Sequence, residues 1–241
     1  MRYGILGDIH ANLEALEAVY EAGKAEKVET FLCVGDIVGY GASPGECIEI
    51  LQAMKIISVA GNHDWTVAAK APLEILTPLA REAVLWTREK LSLAHLAFLN
   101  RLPLVFKKED WILVHGTLHN PGEFIYLKNF SQTAQSFALL NQRICFLGHT
   151  HVPRMYVQQE RKIFDSEASD LAISPFSKYI INVGSVGQPR DGNPQAAFGV
   201  YDTDKQTAAI KRISYDVKKA QEKILKAGLP ETLALRLAAG Q

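Results

Sequence analysis

Residues 1–10 read MRYGILGDIH: a short apolar run, then a glycine, an aspartate and, two residues on, a histidine. The arrangement recurs. Residues 30–41 read TFLCVGDIVGYG, residues 56–64 IISVAGNHD, residues 111–116 WILVHG and residues 144–151 ICFLGHTH. Each apolar run has the length and composition of a buried strand, and each ends in glycine, aspartate, asparagine or histidine. Between the first three runs lie amphipathic helical patterns. Over 13–25 the residues Leu13, Leu16, Val19, Tyr20 and Gly23 recur at helical spacing; over 45–54 a second pattern follows Pro44, which suits a first helical turn. Strand–helix–strand–helix–strand implies parallel strands joined by right-handed crossovers.

The rest of the chain reads differently. Residues 78–102 are helical by pattern up to Pro103, and 131–140 is a further helix candidate. After His151 the runs 155–158, 162–164, 179–183, 196–201 and 208–213 are short, β-prone and separated by turn residues, which points to mostly antiparallel pairing. The stretch 217–239 is helical with a break at Gly228-Leu229-Pro230. No repeat or linker divides the 241 residues, so one α/β domain over 1–241 is expected, with two packed sheets and helices outside.

Composition excludes several classes. The 26 basic and 26 acidic residues leave no net charge, so nothing favours wrapping nucleic acid or docking on an anionic membrane. Apolar residues make up 48%, enough for a full core without staples. Three cysteines, Cys33, Cys47 and Cys145, form neither a disulfide framework nor a thiolate zinc motif; Cys33 and Cys145 lie in apolar runs and read as core residues. No run approaches the roughly 20 apolar residues of a membrane helix, and the N-terminus reads as a strand and not as a cleavable signal. The expected location is the cytoplasm.

In an open α/β sheet, ligands bind outside the carboxyl ends of the strands. If the five runs lie side by side, Asp8, His10, Asp36, Asn62, His63, His115, His149 and His151 meet on one edge. One such residue is ordinarily a cap or a solvated turn residue. Eight together would repel or desolvate one another, and cations relieve that crowding. Imidazole with carboxylate suits Zn²⁺, Mn²⁺, Fe and Ni²⁺ better than Mg²⁺ or Ca²⁺. The set exceeds the needs of one ion, and a carboxylate can bridge two, so a binuclear centre suited to phosphoryl transfer to water is expected.

The motifs Asp8-x-His10, Gly35-Asp36, Gly61-Asn62-His63-Asp64, His115-Gly116 and Gly148-His149-Thr150-His151 resemble those of the calcineurin-like metallophosphoesterases, in that family's order. The stretch 182–190, NVGSVGQPR, resembles its small prokaryotic phosphodiesterase-like branch. The resemblance implies a four-layer α-β-β-α sandwich, two mixed sheets flanked by helices. It implies Asp8, His10 and His151 on one metal, Asn62, His115 and His149 on a second, and Asp36 bridging them. It makes His63 the residue facing the leaving-group oxygen, with Asp64 orienting or tuning it. The implied activity is hydrolysis of a phosphomonoester or phosphodiester by direct attack of a metal-bridging hydroxide, with Mn²⁺ favoured in vitro. The implied partner is a small phosphoester, nucleotides included. In the protein Ser/Thr phosphatases the second motif continues as GDxVDRG, whose arginine grips phosphate; here it reads GDIVGYG, and that arginine is missing.

Other family members use the fold as an interaction scaffold, the alternative to an enzyme; all motif residues are present here, which favours the enzyme. Arg190 is the one cation of the glycine-rich loop 184–194, and guanidinium can hold two phosphate oxygens. The expectation is that this loop folds over the metal edge, with Arg190 contacting substrate or anchoring the loop through Asp191; the bland alternative is a hairpin connection. Tyr40, after the bridging Asp36, lines the substrate pocket or belongs to a glycine-rich turn. Loops at 65–78 and 116–128, with Ala42, would set specificity. His119 reads as solvated or as a support to the site, and His95 as a surface or packing residue.

Overall fold

The computed structural model describes residues 1–166 and 168–241. The first part of the chain runs β1 (Arg2–Leu6), α1 (Leu13–Ala25), β2 (Thr30–Cys33), α2 (Pro44–Ala53), β3 (Ile57–Ser58) and α3 (Asn62–Val67). There follow α4 (Pro78–Lys90), α5 (Leu93–Arg101), β4 (Val105–Lys107), β5 (Trp111–Val114), α6 (Phe130–Leu139) and β6 (Ile144–Leu147). The last part is β7 (Arg154–Gln159), β8 (Lys162–Ser166), β9 (Asp170–Ala172), β10 (Ser177–Asn182), β11 (Ala196–Asp202), β12 (Thr207–Ile213), α7 (Val217–Lys226) and α8 (Glu231–Ala239).

The strands form two mixed sheets of six, in the orders β3-β2-β1-β11-β12-β9 and β4-β5-β6-β10-β7-β8. Each sheet contains a parallel triplet, β3-β2-β1 in one and β5-β6-β10 in the other. Period-two alternation explains why these runs are apolar throughout: both faces of each strand are covered. Ile5 and Leu32 point to the layer between the sheets while Leu6 and Cys33 point to the helices outside. On the second sheet Leu113, Phe146 and Ile181 face the same inner layer, and Ile112, Cys145 and Ile180 face α6. The result is the expected four-layer α-β-β-α sandwich. All three cysteine side chains are buried.

Some boundaries differ from the sequence pattern, for local reasons. The continuous helical pattern 78–102 is two helices, because Leu91 is extended and Ser92 caps α5 by accepting from His95 N at 3.2 Å. The run 56–60 contributes only two residues of strand, because Asn62 already begins a helix. The short β4 and β9 carry apolar runs of only about three residues; β4 pairs beside β5 and β9 beside β12. Nor is the second half purely antiparallel, since β10 pairs parallel with β6 and antiparallel with β7. Because β10 and β11 belong to different sheets, the glycine-rich segment between them is not a hairpin but a crossing from one sheet to the other. Among the described residues no helix is long and apolar enough to cross a membrane.

Phe146, 1% exposed between the sheets, fixes how closely they approach. Phe146→Ala should lower unfolding stability by about 3–5 kcal/mol, measured by urea titration.

Candidate metal centre

Because both parallel triplets end at the same edge, the loops after β1, β2, β3, β5 and β6 converge there. Asp8, His10, Asp36, His115, His149 and His151 are all nearly or fully inaccessible. Their ligand-capable atoms form two groups, each with its atoms within 4.8 Å of one another: Asp8, His10, Asp36 and His151, then Asp36, His115 and His149. Asp36 alone belongs to both.

The imidazoles are oriented by backbone carbonyls. His10 Nδ1 lies 3.1 Å from Val38 O, His115 Nδ1 2.9 Å from Val34 O and His151 Nδ1 2.6 Å from Gln188 O. A carbonyl accepts only, so each Nδ1 carries the hydrogen and each Nε2 presents its lone pair inward in the neutral ring. The lone pairs of His10 and His151 face each other. His10 Nε2 lies 3.1 Å from His151 Nε2, and His115 Nε2 lies 3.0 Å from His149 Nδ1. His151 Nε2 stands 3.3 Å from Asp8 Oδ1, and His115 Nε2 3.3 Å from Asp36 Oδ2. Asn62 Oδ1 and His149 Nε2 are buried with no hydrogen-bond partner. Buried acceptors facing one another need either extra protons or cations. The donor set, imidazole nitrogen with carboxylate and amide oxygen, fits divalent transition metals.

The same crowding distorts proton affinities. Burial pushes the Asp36 carboxyl up, but the imidazoles of His115, His63 and His10 outweigh it and hold it well below the usual carboxylate range. Burial pulls His115 down, yet Asp36 and Asp8 push it up to about 9. Burial lowers His10 and His149 well below the usual histidine value.

Close backbone approach shapes the carboxylates. A Cβ on Gly61 would stand 2.0 Å from Asp36 Oδ1, and one on Gly148 would stand 2.3 Å from Asp8 Oδ2. Asp36 Oδ1 also accepts from His63 N at 2.9 Å, and Asp8 Oδ2 from His149 N at 2.9 Å. Asp8, His10, Asp36, Tyr40, His149 and His151 all have left-handed backbone, with φ between 49° and 68°.

His63 sits at the start of α3, its ring 4.5 Å from that of Tyr40 and 4.9 Å from that of His10. Its Nδ1 is buried without a partner. The expectation that Asp64 orients this ring is corrected here. Asp64 Oδ1 accepts from Ile37 N at 2.9 Å and Val38 N at 3.2 Å, while Oδ2 accepts from Gly61 N at 3.0 Å. Asp64 ties the loop after β2 to the loop after β3 and acts on backbone, not on the imidazole. Burial, and then the nearby Asp36 charge, push its carboxyl up to about 7 against the pull of those amides.

The crossing segment lies on the metal edge: Arg190 N donates to His151 O at 3.2 Å. Arg190 Nη2 donates to Gln188 Oε1 at 2.8 Å, and its guanidinium lies 5.7 Å from the Tyr40 ring centroid. It does not anchor through Asp191, which pairs with Arg212 instead. His119 is exposed, and His95 lies outside the cluster, 3.3 Å from Glu49.

Three side chains at the site carried no assignment from sequence. Tyr126 stacks on His149, centroids 3.8 Å apart and planes 17° apart. Asn182 Nδ2 donates to Gly148 O at 2.7 Å, and Ser185 Oγ to Asp8 O at 2.7 Å. Asn182 and Ser185 lie in the quoted segment 182–190, so only their individual roles were hidden. Tyr126 follows no strand-end motif, and only its place in the loop 116–128 marks it.

Over residues 1–206 the chain matches the model of the calcineurin-like phosphoesterase superfamily domain. An uncharacterized protein of Methanocaldococcus jannaschii is 38% identical over 98% of this chain and 97% of its own length. The crystal structure of a metallophosphoesterase from Sphaerobacter thermophilus superposes with a TM-score of 0.87 at 39% identity, covering 100% of both chains. A hypothetical protein of Pyrococcus horikoshii shares the fold, with a TM-score of 0.82 at 20% identity over 100% of this chain and 98% of its own.

Elemental analysis checks the shared carboxylate: Asp36→Asn should reduce binding of two metal equivalents, His149→Ala chiefly of one. Asp64→Ala strands three buried amides and should cost about 3 kcal/mol or more in unfolding stability, with Asp64→Asn recovering part.

Proposed function

Taking as premise that the chain belongs to the calcineurin-like phosphoesterase superfamily, we propose that it hydrolyses small phosphoesters with two divalent cations, in the cytoplasm. The observation that supports this most is Asp36, the one carboxylate common to two groups of buried ligands whose lone pairs face one another. Asp8, His10 and His151 would hold one cation and Asn62, His115 and His149 the other, with Asp36 between. Mn²⁺ is the ion for the first assays, with Fe, Zn²⁺ and Ni²⁺ as alternatives suited to the same donors. Two such ions supply an acidified water and offset charge on the phosphate oxygens.

The protein's own residues do the rest. The carbonyls of Val34, Val38 and Gln188 hold three imidazoles in one tautomer. His63 is left to handle the leaving group. Burial lowers it to about 4, with His151 and Arg190 pulling the same way and Asp36 opposing. A bound phosphoester anion beside it favours its charged form, and the ring would then donate a proton to the departing oxygen. Arg190 offers paired donors to phosphate oxygens across from Tyr40, replacing the arginine absent from the second motif. The substrate is a phosphomonoester or phosphodiester of small size, nucleotides included.

His63→Ala should keep its metals and lose about 10²–10⁴-fold in turnover on alkyl phosphoesters, and much less on p-nitrophenyl phosphoesters, which need little protonation. Equal losses on both would remove the donor role. Absence of hydrolysis by the unmutated Mn²⁺-loaded protein across phosphomonoesters and phosphodiesters would favour a metal-binding interaction scaffold.

A further inference from the structure

The two C-terminal helices lie beyond residues 1–206, the span that matches the family, yet they reach the mouth of the metal site at two points. Immediately after α8, Gly240 O accepts a hydrogen bond from Gly192 N at 3.0 Å. Gly240 is left-handed, φ +64°, and a Cβ there would stand 2.6 Å from Asn193 N. Gly192 and Asn193 belong to the sheet-crossing segment that carries Arg190. Arg212 of β12 holds the intervening Asp191. The second point is Tyr40. Leu233 and Leu237 of α8 line a narrow cavity together with His10, Tyr40, Gly41 and Gln188. The charge of Arg236 reaches the Tyr40 hydroxyl, as that of Arg190 does.

The helices are themselves firmly seated. Glu14 of α1, its side chain 4% exposed, lies 2.6 Å from Lys223 Nζ and 3.3 Å from Lys219 Nζ. Gln221 Nε2 donates to Ala234 O at 2.8 Å, joining α7 to α8, and Trp86 Nε1 donates to Ala227 O at 3.1 Å. The helical pair thus meets the backbone of the segment that carries Arg190 and shares a cavity with Tyr40, the ring over which Arg190 lies.

We propose that the C-terminal helical pair is a working part of the substrate site, with Gly240 as a positioning residue that fixes segment 188–193 and so holds Arg190 over Tyr40, setting affinity for the phosphoryl group. The inference rests on the role given above to Arg190. Long cationic side chains lose rotamer freedom on binding, so a guanidinium already held by its backbone and by Gln188 loses less. Within the longer stretch 184–194, which holds Gly184, Gly187 and Gly192, an external brace adds to the order that Arg212 and His151 O supply.

Calorimetric titration of inorganic phosphate into the Mn²⁺-loaded protein tests this, beside metal content and amide exchange. Gly240→Val should raise the Kd for phosphate about tenfold, the loss expected of one charged hydrogen bond, with metal content retained and faster exchange at the Gly192 amide. Arg190→Ala should raise it by a similar factor, and the double variant should lose no more than either. Wherever turnover is measured, the change should fall on KM and not on kcat. Unchanged affinity in Gly240→Val with weakened affinity in Arg190→Ala overturns the brace and leaves the Arg190 role standing. Unchanged affinity in both overturns that role and the brace with it. Additive losses in the double variant also overturn the inference. If Gly240→Val fails to fold, Gly240→Ala gives the same comparison.

Discussion

Four imidazoles and two carboxylates are buried within a few ångströms of each other, with the histidine lone pairs turned toward one another by backbone carbonyls. Burying acceptors in this way opposes folding unless a cation or protons intervene. The rest of the structure is arranged so that the cluster forms nonetheless. Two parallel triplets present their carboxyl ends at one edge, and three apolar layers hold the strands that bear them. Asp64 ties the backbone of two of the loops together through three amides.

The loops show where the opposing free energy is stored. Five of the proposed ligands and Tyr40 have left-handed backbone, a conformation that costs on the order of 1–3 kcal/mol for a residue with a side chain. The neighbouring glycines make room for carboxylates pressed against the backbone. Such strain persists only where surrounding packing over-determines it, and here it coincides with the ligand groups. A site so preorganised offers its donors in fixed directions, which favours tight and geometrically selective metal binding.

The open side of the cluster is built differently. Tyr40, Tyr126 and Arg190 are held by ring stacking, a single side-chain hydrogen bond and the brace from the C-terminal helices. Two of these contacts run to motif histidines, Tyr40 to His63 and Tyr126 to His149, but Tyr126 and Arg190 themselves lie outside the strand-end motifs. The candidate ligand cluster lies within residues 1–206, which match the family, whereas the wall beside it is also met by helices beyond that span.

Much was legible from local pattern. Apolar runs covered on both faces announced buried strands, and the polar residue after each run lay where parallel strands present their ends, because strand direction and crossover handedness leave few alternatives. The ligand residues could thus be named from Asp8 to His151 before any contact was known. Other features were settled only by long-range contacts. The split of 78–102 depended on Ser92 finding a cap, β4 and β9 on partners supplied by β5 and β12, and Tyr126 on a ring brought beside it by the fold. Asp64 was legible as a site residue but not as a backbone tie, since its partners lie 26 and 27 residues away. Sequence by itself determined which residues could bind metal and on which edge, because strand periodicity and glycine placement are local. Tertiary structure alone decided what each ring nitrogen faces, which loop Asp64 secures and what holds Arg190, because those depend on chain segments whose meeting no local spacing encodes.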